Sequence, residues 1–282
     1  MKQLPRPSLL LVTDLRYPAR GRRRYGDEDV WLSGKLREHF DVALCSPLDA
    51  TALMDSFVIV LVRNSGPVMG YQDAYDVFRS EVARRGTRLV NPLTGRGDMQ
   101  GKRYLVELWA AGEPVIPTVD RREDLGLLPD ADRWVVKPLL GADSVGLQLL
   151  ASLAAVELEG ALVQPCVDIQ HEISFVFVDR RFQYAVRSPD RDRRWELVPY
   201  APTDDDLAFA QRFVDWNEID LGVQRVDACR TSDGGLLLVE LEDLNPYLSL
   251  DLVDAATRSA FTDALVTSLR EALDRFPPPH GV

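Results

Sequence analysis

Two short stretches carry acidic and basic residues at the spacing of one sheet face. "RVD" sets Arg225 and Asp227 two residues apart, "ELE" sets Glu240 and Glu242 two apart, and "SDGG" lies between the runs that contain them. Side chains at i and i+2 of a strand share a face, and "SDGG" between apolar runs signals a hairpin turn. A turn centred on Asp233–Gly234 brings Asp227 opposite Glu240. Three carboxylates and an arginine then converge among Val226, Leu238 and Leu241. Like carboxylates in such surroundings repel unless a cation neutralises them. An oxygen-rich set suits a hard cation such as Mg²⁺, which keeps several waters and bridges phosphates. The same residues read equally well as the acidic face of an exposed hairpin, and spacing alone leaves both readings open.

Two lysines stand where phosphate chemistry could use them. Lys137 interrupts the β-branched run "VVKP", and "GADSVG" (Gly141 to Gly146) follows, a loop whose amides could fold over phosphates. The alternatives are an edge-strand lysine that discourages aggregation and a plain hairpin turn. Lys102 is the next-to-last residue of "GRGDMQGKR", which follows the apolar run "TRLVN" and precedes the helical "YLVELWAAG". This is the setting of a P-loop, but G-x-x-x-x-G-K-[ST] requires a glycine at Arg96 and a hydroxyl at Arg103, so the motif fails. A lysine opening a helix remains a plausible phosphate ligand.

Other chemistries are poorly supplied. The histidines His39, His171 and His280 have no carboxylate or cysteine at metal-site spacing, which argues against a zinc site or a Ser-His-Asp triad. Cys45, Cys166 and Cys229 are scattered through a chain too long to be a disulfide scaffold, so reduced, cytoplasmic thiols are expected. Lys plus Arg number 33 against 44 Asp plus Glu, a formal charge of −11 that argues against a general nucleic-acid partner. The one basic cluster, "RGRRR" (Arg20 to Arg24), reads as a solvated loop. The N-terminal apolar run is too short for a signal peptide or a membrane span.

The elements that must position these residues fall into two classes. "SLLLVTD" (Ser8 to Asp14), "DVALCS" (Asp41 to Ser46), "SFVIVLVRN" (Ser56 to Asn64) and "TRLVN" (Thr87 to Asn91) read as strands, with helices around Val30 to His39 and Gln72 to Arg85. Continuous apolar strands alternating with helices predict a parallel sheet covered on both faces. After a helix from Lys102 to Ala111, "EPVIPTV" is extended, and "RWVVKPLL" and "ALVQPCV" read as strands. "EISFVFVDRRFQYAVRSP" has the shape of a hairpin, a helix spans Leu207 to Asp220, and a last helix runs from Leu252 to Arg275. The second half is therefore antiparallel β with helices.

Taken in order, Lys102, "AGEPVIPT", "VVKP", "LVQPCVDIQHEISFVF", "QRVDA" and "ELEDLNPYLSL" resemble the motif series of the ATP-grasp superfamily, over about residues 91 to 255. The pattern "QP…E.S.VF.D…AVR.P" followed by "ELE…P.L.L" resembles the D-cycloserine synthetase branch, near the ribosomal-protein glutamate ligases and prokaryotic glutathione synthetases, as does "LVRNSGP" (Leu61 to Pro67). The chain departs from that branch at His171 (usually glycine), Ile173 (usually arginine) and Asn245 (usually acidic).

The resemblance implies a fold and a reaction. An open parallel α/β domain (1–92) would precede a two-part ATP-grasp domain, with subdomains at 93–166 and 167–282. ATP would lie between the subdomains, with Lys102 and Lys137 on its phosphates and the loop of Gly141, Ala142, Asp143 and Ser144 above them. Gln164, Pro165, Cys166 and Val167 would meet adenine, with Asp168 or Glu172 on the ribose, and Cys166 serving as hinge packing. Asp227, Glu240 and Glu242 would hold two Mg²⁺, with Mn²⁺ as a substitute, while Arg225 and Lys137 act catalytically. Arg63 and Arg187 would hold the acid substrate, Arg187 reading equally well as a surface residue. The implied reaction joins a small amino-acid-like carboxylate to an amine in specialised metabolism, through an acyl phosphate and with release of ADP. The joining could be intramolecular. Modification of a ribosomal precursor peptide and non-catalytic nucleotide binding are the alternatives. No nucleic-acid or membrane partner is expected, and a homodimer is left open.

Overall fold

The computed structural model of the chain describes residues 6–15, 25–63, 71–141, 144–154, 156–194 and 196–275. Strand β1 (Ser8–Thr13) lies inside a parallel sheet, and its alternate residues enter different cores: Leu9 and Leu11 one, Leu10 and Val12 another. Burial on both faces is why the run is continuously apolar. β1 pairs with β2 (Asp41–Cys45) and β3 (Ile59–Arg63), and β3 with β4 (Leu89–Val90), in the order β2-β1-β3-β4. Helices α1 (Tyr25–Leu36), α2 (Ala50–Leu53) and α3 (Gln72–Arg85) fall between successive strands. α1 starts five residues before the expected Val30, with Asp27 and Glu28 in its first turn, where the helix dipole favours carboxylates.

The remainder is antiparallel. α4 (Tyr104–Ala110) begins two residues after Lys102, whose amide instead donates to Leu139 O at 2.8 Å. β5 (Trp134–Pro138), β6 (Gln148–Leu150) and β7 (Ala161–Pro165) form a small sheet in the order β6-β5-β7. β8 (Ile169–Val178), β9 (Arg181–Arg187), β10 (Val198–Tyr200), β11 (Val223–Thr231) and β12 (Leu236–Glu242) form a larger one, ordered β10-β9-β8-β11-β12. The extended "EPVIPTV" bridges both sheets, with Val115 against Leu238 and Val119 against Val163. α5 (Asp204–Asn217) opens with a capping box between Thr203 and Asp206 and packs Ala210, Phe213 and Val214 on one face of the large sheet. α6 (Ala255–Arg275) inserts Phe261, Leu265 and Leu269 between the parallel sheet and Val176 and Val178, making one core of the two.

The β11–β12 hairpin decides the site. Asp233 Oδ1 accepts from Thr231 Oγ1 at 2.5 Å and from Gly235 N at 3.2 Å, and Gly234 takes φ +92°, which favours glycine. The expected partners Arg225↔Glu242 and Asp227↔Glu240 are present, but nearer the turn the register shifts to Ala228↔Leu238. Val239 is thus an extra residue, a bulge. It lets Leu238 face the core while Glu240 faces the other way, which strict alternation forbids.

Candidate active site

A cavity of about 270 Å³ lies between the small and large sheets. Of the residues expected at the nucleotide, Lys102, Lys137, Gly141, Ser144, Gln164, Pro165, Cys166, Val167 and Glu172 line it. A second cavity of about 70 Å³ shares Ser144, Glu172, Arg194, Val239 and Glu240 with the first and contains Arg225, Asp227 and Glu242. The two form one continuous cleft with a mostly apolar end and an acidic end.

The hairpin face is not a solvated one. One oxygen from each of Asp227, Glu240 and Glu242 lies within 4.8 Å of the others, and all three side chains are only about a fifth exposed (17 to 22 %). Arg225, itself 3 % exposed, donates to Asp227 at 2.8 and 2.7 Å, to Glu242 at 2.8 Å and to Tyr247 O at 2.5 Å. Glu240 is 3.2 Å from Lys102 Nζ and 3.8 Å from Lys137 Nζ. Lys137 sits on the central strand of its sheet, 12 % exposed, so the edge-strand reading does not hold.

The charges support one another. Burial pushes Glu240 up, but Lys102 and Lys137 outweigh it and hold the carboxyl well below its usual range. Burial likewise opposes charge on Lys102, where Asp98 and Glu240 prevail and raise it. For Lys137 burial prevails and lowers it, with Glu240 opposing. Burial raises Glu172, partly offset by Arg194 at 2.9 Å.

The remaining expected residues have partners of their own. Asp168 lines a separate recess with Asp130 and Asp132 and accepts from Ser232 Oγ at 2.6 Å. The buried side-chain amide of Gln164 donates to Thr118 Oγ1 at 2.8 Å. Burial raises the Cys166 thiol, in keeping with packing rather than attack. Ala142 and Asp143 lie outside the described residues, as do the "RGRRR" cluster and the end of "LVRNSGP". Gly146 takes φ +76°, and a Cβ there would lie 2.8 Å from Pro138 Cγ, so Gly146 itself lies close against the end of β5.

The two arginines expected at the acid substrate are not among the described residues lining either cavity. Arg187 donates to Ser188 O and Pro189 O at 3.2 and 3.3 Å. Arg63 is 2 % exposed and bonds Asp29 at 2.5 Å, Glu28 at 3.0 Å and Pro246 O at 3.2 Å. Buried with two carboxylates, it has no open face for a substrate. Sequence reasoning missed Arg194, which lines both cavities from an arginine-rich stretch without periodicity, and Asp98, four residues before Lys102 at the spacing of a helical ion pair.

Two antiparallel sheets closing over a cleft, with a lysine beside each sheet and an acidic hairpin at one end, are the ATP-grasp arrangement, and in fold and sequence the chain is similar to ATP-grasp ligases. No protein-family model matches it. It is 27 % identical over 267 residues to the cycloserine biosynthesis protein DcsG of Streptomyces lavendulae, covering 80 % of this chain and 88 % of that protein. The crystal structure of D-cycloserine synthetase DcsG matches with a TM-score of 0.71 at 25 % identity, over 93 % of this chain and 99 % of the other. D-alanine–D-alanine ligase from Bacillus anthracis shares the fold, with a TM-score of 0.64 at 14 % identity over 95 % and 99 % of the two chains. So does the ATP-grasp ligase PsnB, complexed with a precursor variant, Mg and ADP, with a TM-score of 0.62 at 14 % identity over 94 % and 100 %. Among the described residues, no helix is long and apolar enough to cross a membrane.

Proposed function

We propose that the chain joins a small amino-acid-like carboxylate to an amine, consuming ATP and releasing ADP and phosphate. The observation that carries this is the concentration of Lys102, Lys137 and Arg225 around Asp227, Glu240 and Glu242 at one end of the cleft. Adenine fits the apolar end beside Pro165 to Val167, with Glu172 reaching the ribose, while the phosphates extend toward the lysines beside Gly141 and Ser144. The three carboxylate oxygens suit Mg²⁺, whose chemistry is to neutralise β- and γ-phosphate charge. A substrate carboxylate oxygen attacks the γ-phosphorus and ADP leaves. An amine then attacks the acyl carbon, phosphate leaves and the nitrogen loses its proton. Arg225 stabilises the charge that builds on the transferred group.

The acid end is the smaller cavity, about 70 against 270 Å³, which suits a small acid better than a peptide. Arg225 and Arg194 are the arginines that line it among the described residues, so the acid-holding role passes in this proposal from Arg63 and Arg187 to Arg194. The domain division at 1–92, 93–166 and 167–282 is part of the same proposal, supported by the change from a parallel sheet to two separate antiparallel ones.

The test is product chemistry. Incubation with ATP and a pool of small acids and amino acids should release ADP and phosphate only when the correct acid is present, and hydroxylamine should trap the activated acid as a hydroxamate. Stoichiometric AMP and pyrophosphate would overturn the mechanism.

A further inference from the structure

The loop that resembles a failed P-loop has its amides on a carboxylate of this chain. Asp243, which directly follows β12, accepts from Gly97 N and Met99 N at 2.9 Å each. A Cβ on Gly97 would stand 2.5 Å from Leu241 O, so only glycine lets the loop lie this close to the strand. The anchored loop carries Asp98, which stands beside Lys102. One carboxylate oxygen of Asp98 pairs with Lys102 Nζ, and the other accepts from Tyr104 OH at 2.7 Å. Tyr104 OH in turn accepts from Leu241 N at 2.6 Å, between Glu240 and Glu242. Lys102 therefore hangs from Asp98 on one side and from Glu240, 3.2 Å away, on the other.

An ammonium has three N–H donors. Glu240 serves both lysines and belongs to the acidic trio, so its share in Lys102 is the one that changes when a phosphate and its cation enter. Asp98 belongs to no such set. Building on the nucleotide reading above, we propose that Asp98 is a positioning residue: it fixes the Lys102 ammonium at the phosphate end of the cleft. Tyr104 holds Asp98 in register with the acidic hairpin.

The sign of the effect separates this role from simple electrostatics. A carboxylate beside a phosphate site repels the phosphate, so removing its charge would by itself tighten ATP binding. Loss of positioning weakens it. Calorimetric titration of the intact protein with ATP and with adenosine, in the presence of Mg²⁺, makes the comparison. Asp98→Asn is expected to weaken ATP binding about tenfold, the scale of one hydrogen bond to a charged group, and to leave adenosine binding unchanged. Tyr104→Phe, which removes one support of Asp98 and leaves its charge, is expected to act in the same direction by a smaller factor. Unchanged or tighter ATP binding in Asp98→Asn overturns the proposal, as does an equal loss for adenosine, which marks a collapsed loop. Lys102→Ala separates the two levels. If it leaves ATP binding intact, the nucleotide reading fails and this inference with it. If it weakens ATP binding while Asp98→Asn does not, this inference alone fails.

Discussion

Two arginines in this molecule have nearly the same partners and different consequences. Arg63 bonds Glu28, Asp29 and the carbonyl of Pro246; Arg225 bonds Asp227, Glu242 and the carbonyl of Tyr247, the next residue. Around Arg63 the carboxylates are 5 and 0 % exposed, and the rest of their capacity goes to the protein: Glu28 accepts from Leu248 N and Leu250 N, Asp29 from Thr13 Oγ1. Around Arg225 the carboxylates are 17 % exposed and open on a cavity. A buried arginine with two carboxylates is therefore not in itself a site. The closed cluster fixes the backbone of 246–250, on which the open cluster leans through Tyr247, and the open cluster keeps oxygens for a ligand.

Replacing Arg63 by Met should leave two carboxylates buried without their cation, a loss of about 3 to 5 kcal/mol. Denaturant unfolding would measure it, and a loss below about 1 kcal/mol would show that the closed cluster does not hold the fold. The counterpart at the open cluster is Glu240→Gln, where turnover should fall by about a hundred- to a thousandfold with the unfolding midpoint little changed. Full turnover in that variant would break the comparison from the other side.

The closed cluster also has a pH signature. Burial lifts Glu28 to about 7 against the pull of Arg63. A carboxyl raised in this way keeps its proton longer in the fold than in the unfolded chain, so the fold binds more protons between about pH 4.5 and pH 7. Stability contributed at this position is fullest below that window and falls as pH rises through it, by about 3 kcal/mol. Glu28→Gln removes the titration, so the stability of wild type relative to the variant should decline across the window. A difference that stays flat with pH would remove the titration from Glu28.

The sequence made one cluster legible and hid the other for a physical reason. Arg225, Asp227, Glu240 and Glu242 lie on adjoining strands of one hairpin, where a period of two converts spacing into geometry. Only the bulge at Val239 escaped, because strict alternation has no place for an extra residue. Arg63 sat at a strand end in an arginine motif of the related branch, which made it look available. Its partners lie about 35 residues upstream and, at Pro246, 183 residues downstream, separations at which no local pattern reports a contact. The sheets were readable for the same reason as the hairpin: continuous apolar runs mark a parallel sheet and turn signals mark the antiparallel half. Arg194 comes from a loop with no period.

The smallest expected effect tests the open cluster at the lysine that faces Glu240 from the other sheet. Lys137 lies on β5, across the cleft from the acidic hairpin, and its partner here is Glu240 at 3.8 Å. Removing it should not unfold the protein, because burial already disfavours its charge and Glu240 keeps the closer Lys102. What Lys137→Ala removes is a point charge for phosphate, so ATP affinity should fall about tenfold, or about 1.4 kcal/mol, while adenosine affinity stays level. Closed-cluster behaviour would be the reverse, with a stability loss and both ligands weakened together. An equal loss for ATP and adenosine would therefore move Lys137 from the ligand-facing cluster to the structural kind that Arg63 represents.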